Sequence, residues 1–327
     1  MKNKGFSIVI PCESMSCLVQ SALNSLRNQE CAYDVLVVQT HGWEGIKKNT
    51  RFINVENSHG NPPKKRNQIL RYTTREYLLF LDDDAFLPPQ WLKRAASLLH
   101  KPKIGAVVGP LLAPRTETSF SKQITNAIME SALLSLTHTP QGAKKKMGRD
   151  YEVNDYPCAV FAIKTDDFRT IGGFSETFYP GEDTKLCLEI KKLGKKILFS
   201  QRLAAYHGRK RFPFPFLTHV RRYARQRGRF ALLFPETSLH IIYFLPSIFI
   251  LYLLVLVLFA ARGMLLHDLY ILVPLLLYVL VLLNEIRLIF GRCSNLLLSS
   301  LVGIGIMLTH IVYGLFFLVG LVSRRKS

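Results

Sequence analysis

The hydrophobic pattern of this chain changes character once, near residue 236. Before that point, short apolar runs alternate with polar and charged stretches at the density of a globular protein. After it, Leu, Ile, Val and Phe dominate. In the first part, residues 6–10, 35–38, 52–55, 77–81, 106–109 and 158–163 are short apolar runs that read as buried strands. Leu18, Val19, Ala22, Leu23 and Leu26 recur near helical spacing, and further helices are predicted over about 63–73 and 90–99. Tyr179-Pro-Gly-Glu-Asp183 opens one more helix, 184–193, which Gly194 stops. Strands alternating with helices predict an α/β fold built on a mostly parallel, doubly wound sheet. Residues 116–147 are read as a mobile excursion over the site, carrying the charge run Lys144-Lys-Lys146.

The second part predicts membrane helices. Residues 239–261 and 296–322 contain no Asp, Glu, Lys or Arg, and each is long enough to span a hydrocarbon core of about 30 Å. Residues 268–290 are a weaker case, because the uncharged stretch 269–283 would rise only about 22 Å as a helix. It crosses if Glu285 and Arg287 sit at the interface. No cleavable signal precedes the first strand, so the large N-terminal part is expected in the cytoplasm of a multi-pass cell-membrane protein. The six cysteines form no CxxC pair and read as free thiols of a reducing compartment.

The formal net charge of +20 raises the question of nucleic acid, but its distribution points elsewhere. Residues 201–230 hold nine Lys or Arg and no acid, immediately before the first apolar helix. Cytoplasmic charge accumulates there under the positive-inside rule, and anionic lipids attract it. No nucleic-acid partner is expected. The basic tail Arg324-Arg-Lys326 would stay on that face with two crossings and leave it with three.

Chemistry is concentrated where the run 77–81 ends in Asp82-Asp83-Asp84. A buried strand ending this way delivers carboxylates to the edge of an open α/β sheet where ligands bind. Such oxygens suit Mg²⁺ or Mn²⁺, and that ion can clamp a diphosphate. A solvated turn with one aspartate capping the next helix is the alternative. Glu182 and Asp183 stand at a helix N-terminus, where they either stabilise the helix end or keep a proton acceptor ionised. No GxGxxG follows the first strand, so phosphates would depend on a metal and basic side chains.

Taken in order, these motifs resemble those of a family 2 glycosyltransferase with the GT-A fold and a C-terminal membrane anchor. They are Phe6-Ser-Ile-Val-Ile-Pro11, Lys65-Arg66-Asn67, Leu79-Phe-Leu-Asp-Asp-Asp-Ala85, Ile171-Gly-Gly-Phe-Ser-Glu176, Gly181-Glu-Asp183 and Ala205-Tyr-His207. The resemblance covers roughly residues 6–230. It implies a catalytic domain over 1–200, a basic and aromatic membrane-interface segment over 201–236, and a transmembrane region over 237–327. It implies that Asp84, with Asp82 and His207, holds the metal, and that Pro11, Glu13, Gln39, Arg66, Asp82 and Asp83 contact the nucleotide-sugar. Asp183, beside Glu182, would be the base for inverting transfer to a lipid-linked or other membrane-associated acceptor, in cell-surface polysaccharide or glycoconjugate synthesis. Arg221, Arg222 and Arg225 would face that acceptor's phosphate or the membrane surface.

Two departures from the family pattern stand out. Gln39 occupies the place of an acid that commonly recognises the nucleobase, and Pro11-Cys12-Glu13-Ser14 replaces the usual first-strand loop. The QxxRW motif of processive synthases is read as missing, which together with the few apolar helices predicts transfer of a single sugar. The altered Gln39 also leaves open a catalytically silent membrane scaffold with the same fold.

Overall fold

The computed structural model describes residues 3–114, 117–135, 150–263 and 269–323. The runs 144–146 and 324–326 lie outside them. The chain forms two compact units, one of residues 1–115 and 140–208, the other of 116–139 and 209–327.

In the first unit a nine-stranded sheet runs β3-β4-β2-β1-β5-β10-β7-β11-β9. Its strands are β1 (Asn3–Pro11), β2 (Tyr33–Gln39), β3 (Gly45–Lys47), β4 (Thr50–Asn54), β5 (Arg75–Leu81), β7 (Ile104–Val108), β9 (Tyr151–Val153), β10 (Val160–Lys164) and β11 (Lys196–Phe199). The β1–β2, β1–β5, β2–β4 and β7–β11 pairs are parallel. β10 enters antiparallel between β5 and β7. Apart from the run on β4, the predicted runs fall on strands buried on both faces: Ile8, Val37, Leu79, Val107 and Ala162 are all sealed from solvent.

Three very short strands, β6 (Ala85–Phe86), β8 (Leu111–Leu112) and β12 (Ala205–His207), make a second sheet in the order β6-β12-β8. The helices of this unit are α1 (Cys17–Leu26), α2 (Pro62–Asn67), α3 (Ile69–Tyr72), α4 (Trp91–Leu99), α7 (Thr165–Ile171) and α8 (Glu182–Lys192), numbered along the whole chain. The single helix expected over 63–73 is thus two, with Gln68 at the break.

The second unit is helical: α5 (Phe120–Glu130), α6 (Ala132–Ser135), α9 (Phe214–Leu233), α10 (Pro235–Ser238), α11 (Ile241–Ala261), α12 (Val273–Cys293) and α13 (Leu296–Val322). Residues 117–135, part of the expected excursion, are largely helix here. α5 turns Ile124, Thr125 and Ile128 inward, toward a core shared with Val220, Val302, Ile306 and Phe317. Among the described residues, three helices are long and apolar enough to cross a membrane: Ile241–Ala261, Leu269–Cys293 and Leu296–Val322. Glu285 is buried.

Candidate active site at the carboxyl edge of the sheet

Two features of the backbone assemble the acidic cluster. Beyond β5 the chain turns tightly: Asp82 N–H donates to Ala159 O (2.8 Å) and Ala85 N–H to Asp82 O (3.0 Å). β6 then pairs with β12, setting His207 opposite Ala85, and Gly208 N–H donates to Asp84 O (3.0 Å). This pairing carries His207 Nε2 to 3.1 Å from Asp84 Oδ1 and 3.8 Å from Asp82 Oδ2. One ligand atom from each of the three residues lies within 4.8 Å of the others. Two carboxylates and an imidazole form a donor set that a small divalent cation accepts.

Gly208 leaves room for this arrangement, since a Cβ there would lie 2.7 Å from Asp84 Oδ2. Gly208→Ala is therefore expected to turn the Asp84 carboxylate away and weaken metal-dependent donor binding about 10-fold or more, the scale of losses around metal ligands. Titration calorimetry of a nucleoside diphosphate with Mn²⁺ checks it; unchanged affinity would mean that Asp84 is not positioned by this contact.

Arg66 links the acidic groups. Asn61 caps α2 by accepting from Lys64 N–H, Pro62 takes its first turn, and Arg66 projects inward, 4% exposed. Its Nη2 donates to Asp82 Oδ1 (2.6 Å) and its Nη1 to Glu182 Oε1 (3.3 Å), with Asp183 Oδ1 3.8 Å away. The guanidinium sits over the Phe174 ring at 5.4 Å, while its buried Nε has no hydrogen-bond partner among the described residues. Burial opposes the charge, but the three carboxylates hold Arg66 firmly protonated. In this structure the guanidinium is committed to acids.

Gly181, at φ +117, lets the chain turn into α8 and donates its N–H to Glu182 Oε2 (3.0 Å). The Glu182 side chain is 7% exposed and that of Asp183 28%. Burial raises the proton affinity of both. Asp183 raises that of Glu182 further, against Arg66. Cys158, by backbone and thiol, favours ionised Asp183. Asp183 is the more accessible carboxylate.

The other nominated residues form a neighbouring cluster. Glu13 accepts from Lys65 Nζ (2.8 Å), Thr40 Oγ1 (2.7 Å) and Gly60 N–H (3.1 Å), and pairs with His59 Nδ1 (2.9 Å). Burial works against its charge, yet the Lys65, Thr40, Gly60 and His59 contacts prevail and hold its carboxyl at about 2. Glu13 thus ties together the loops after β1, β2 and β4. Pro11 ends β1 and is buried. Gln39 is fully buried, donates Nε2 to Trp43 O (2.8 Å), and lies beneath Gly42. Its Oε1 has no donor among the described residues. Asp83 lies beside the Asp82, Asp84 and His207 cluster, half-buried.

Arg221, Arg222 and Arg225 belong to the second unit, on the exposed side of α9. The sequence reading passed over Gln226-Arg-Gly-Arg229-Phe230, which departs from QxxRW only in carrying Phe for Trp. Gln226, Arg227 and Phe230 are buried. It also missed the roles of Cys158 and Gly208, neither of which carries a local signal, and gave Lys65 only as part of a motif; their roles arise from contacts between distant segments.

Residues 7–172, more than half of the chain, match the family model described as Glycosyl transferase family 2. The chain belongs to glycosyltransferase family 2. It is 22% identical over 201 residues to a pre-mycofactocin glycosyltransferase of Mycobacterium tuberculosis, covering 60% of this chain and 41% of that one. It is 27% identical over 108 residues to the poly(ribitol-phosphate) beta-N-acetylglucosaminyltransferase TarS of Staphylococcus aureus, covering 29% and 19%. The chain thus spans less than half the length of either relative. Among solved structures, the mannosyltransferase PcManGT from Pyrobaculum calidifontis, in complex with GDP-Man and Mn²⁺, superposes with a TM-score of 0.54 at 14% identity. That match covers 97% of this chain and 86% of the other, and supports the GT-A fold followed by apolar helices.

Proposed function

We propose that this family 2 enzyme transfers one sugar, with inversion, from a nucleotide-sugar to a membrane-associated acceptor, such as a polyprenyl- or other lipid-linked one. The observation that carries the reading is the joining of Asp82, Glu182 and Asp183 through one buried guanidinium, Arg66, with Asp84 and His207 alongside. That arrangement supports reading a donor subsite and a base at one sheet edge. Asp82, Asp84 and His207 would hold Mg²⁺ or Mn²⁺, the latter present with the donor in the Pyrobaculum structure. That ion would offset charge on the departing nucleoside diphosphate. Asp183 would take the proton of the acceptor hydroxyl as its oxygen attacks the anomeric carbon. Pro11, Glu13, Gln39 and Asp83 would shape the nucleotide pocket, Glu13 by fixing three loops and Gln39 by supporting the turn at Gly42.

The proposed division is 1–200, joined by His207, for catalysis, the rest of 201–236 for the membrane interface on the cytoplasmic face, and 237–327 for the transmembrane region; residues 116–139 group with the helical unit. Arg221, Arg222 and Arg225 would meet anionic lipid or the acceptor's phosphate, for which guanidinium forks are suited. Cell-surface polysaccharide or glycoconjugate synthesis is the setting that such an acceptor fits.

The deciding experiment supplies membranes holding the full chain with UDP-, GDP- and dTDP-sugars and Mn²⁺ or Mg²⁺. It follows labelled sugar into the lipid fraction. Metal-dependent incorporation is expected for one donor and should be absent from Asp84→Ala, which should also lose metal-dependent donor binding. Incorporation indifferent to chelator would overturn the metal assignment.

The pH profile supplies a second test. The base must be ionised, and burial raises the proton affinity of the Glu182–Asp183 pair. The rate should therefore be low in acid and rise with pH along a limb displaced above about 4, the ordinary carboxylate range. A limb at the ordinary position in kcat/KM against pH would assign the base elsewhere.

A further inference from the structure

Among the described residues three helices are long and apolar enough to cross a membrane, yet the second unit covers them unequally. Within their apolar windows, 22% of the first, 6% of the second and 50% of the third are buried. The third, α13, carries buried residues along its whole length, from Leu298 to Gly320. Its own protein covers half of the α13 window, more than twice the share covered on either of the other two helices.

The contacts explain the difference. α11 and α12 run antiparallel. The Phe249 and Tyr278 rings meet at 4.5 Å, while the Tyr252 hydroxyl donates to Ile271 O (2.7 Å) and accepts from Leu275 N–H (3.2 Å). As numbering rises on one helix it falls on the other, so the two form a hairpin with its tip beyond Arg262. α13 touches the hairpin toward its open end. On α11 it meets Phe244, ring to ring with Phe317 at 4.8 Å, and Ser247, which donates to Gly314 O (2.9 Å). On α12 it meets Tyr278, through His310 at 3.1 Å, and Ile286, packed on Gly303. From residue 303 to residue 317, α13 therefore passes from one arm of the hairpin to the other, across its base. Beyond these contacts Leu254, Val257, Leu258, Leu269 and Tyr270 stand exposed toward the tip.

Alongside α13, in step with it, runs the cationic α9. Arg221 lies over the Phe316 ring at 5.4 Å, and the Tyr223 and Tyr313 rings are 6.5 Å apart. At Gly228 and Gly320 the two backbones touch: a Cβ on Gly228 would fall 2.2 Å from Phe317 O, and one on Gly320 2.1 Å from Arg225 O. α9 exposes Arg221, Arg222 and Arg225. Guanidinium groups facing outward are not tolerated in hydrocarbon, but suit the depth of anionic headgroups. A helix in backbone contact with α9 lies at that depth too.

We propose that the bilayer is crossed by the α11–α12 hairpin alone, and that α13 lies along the membrane face as the hairpin's foot, beside the arginines of α9. The end of α13 then shares a face with the start of α11. The number of crossings is even, although three segments are apolar enough to span. The bilayer contact is thus an apolar hairpin inserted from a cationic, headgroup-facing platform. This inference concerns the second unit only and stands whether or not the proposed sugar transfer is correct.

The test uses the full chain in sealed vesicles, with Cys17 and Cys31 replaced by Ser. Native Cys293 is probed with a membrane-impermeant maleimide, before and after permeabilisation. His240→Cys, Arg262→Cys and Ser323→Cys are then probed singly in a Cys293→Ser background. These four positions are exposed or half-buried, so the fold has room for the changes. Positions 240, 293 and 323 are expected to react from one face and position 262 from the other. If 323 shares the face of 262, α13 crosses and the proposal falls. If 293 shares the face of 262, α12 does not cross, and if all four share one face, neither arm does; each result overturns it equally.

Discussion

Asp183→Asn is expected to lower the transfer rate by about 10²–10⁴-fold, the usual contribution of a positioned general base, while leaving donor binding nearly unchanged. The substitution keeps the shape of the side chain and removes only its capacity to accept a proton. Of the two adjacent carboxylates, Glu182 is the worse candidate, being 7% exposed and engaged by Arg66 Nη1 and the Gly181 N–H. Asp183 keeps 28% of its side chain accessible. Because a neutral amide at this position would also relieve repulsion with Glu182, the variant should be at least as thermally stable as the parent, which separates lost chemistry from lost fold. The measurement is single-turnover transfer beside calorimetric donor affinity. Normal transfer by Asp183→Asn would place the base elsewhere, with Glu182→Gln the next variant to examine.

The residues of this site were legible in the sequence to different degrees, for physical reasons. A strand buried on both faces announces itself as an apolar run, so Tyr77–Leu81 and the aspartates that close it could be located from the pattern alone. The same pattern carries no direction, and nothing local signals that β10 enters antiparallel between β5 and β7. The strands β6, β8 and β12 hold two or three residues each, too few for a period of two to register. Yet their pairing is what carries His207 to Asp84. Arg66 and Glu182 are separated by 116 positions, so their contact is a product of tertiary structure. The apolar count along 296–322 was informative about lipid compatibility and silent about neighbours. A helix sheathed by its own protein and a helix sheathed by lipid have the same composition.

Arg66→Gln is expected to be the most destabilising single change in the catalytic unit. It would leave Asp82, Glu182 and Asp183 around a neutral amide, and removing one partner of a buried ion pair typically costs about 3–5 kcal/mol. For a unit of this size, the melting temperature in detergent should fall by about 10 °C. Arg66→Lys should recover only part of the loss, since an ammonium cannot present two separately directed N–H pairs to Asp82 and Glu182. Charge rather than shape is the cause, so Asp183→Asn should raise the melting temperature in the Arg66→Gln background by more than it does alone. A guanidinium that served only as a phosphate contact would behave differently. Its loss would weaken donor binding while melting stayed put, and the second substitution would have nothing to repair. Melting curves for the two single variants and the double variant, with donor affinity measured beside them, distinguish a charge centre that organises the carboxylates from a ligand contact.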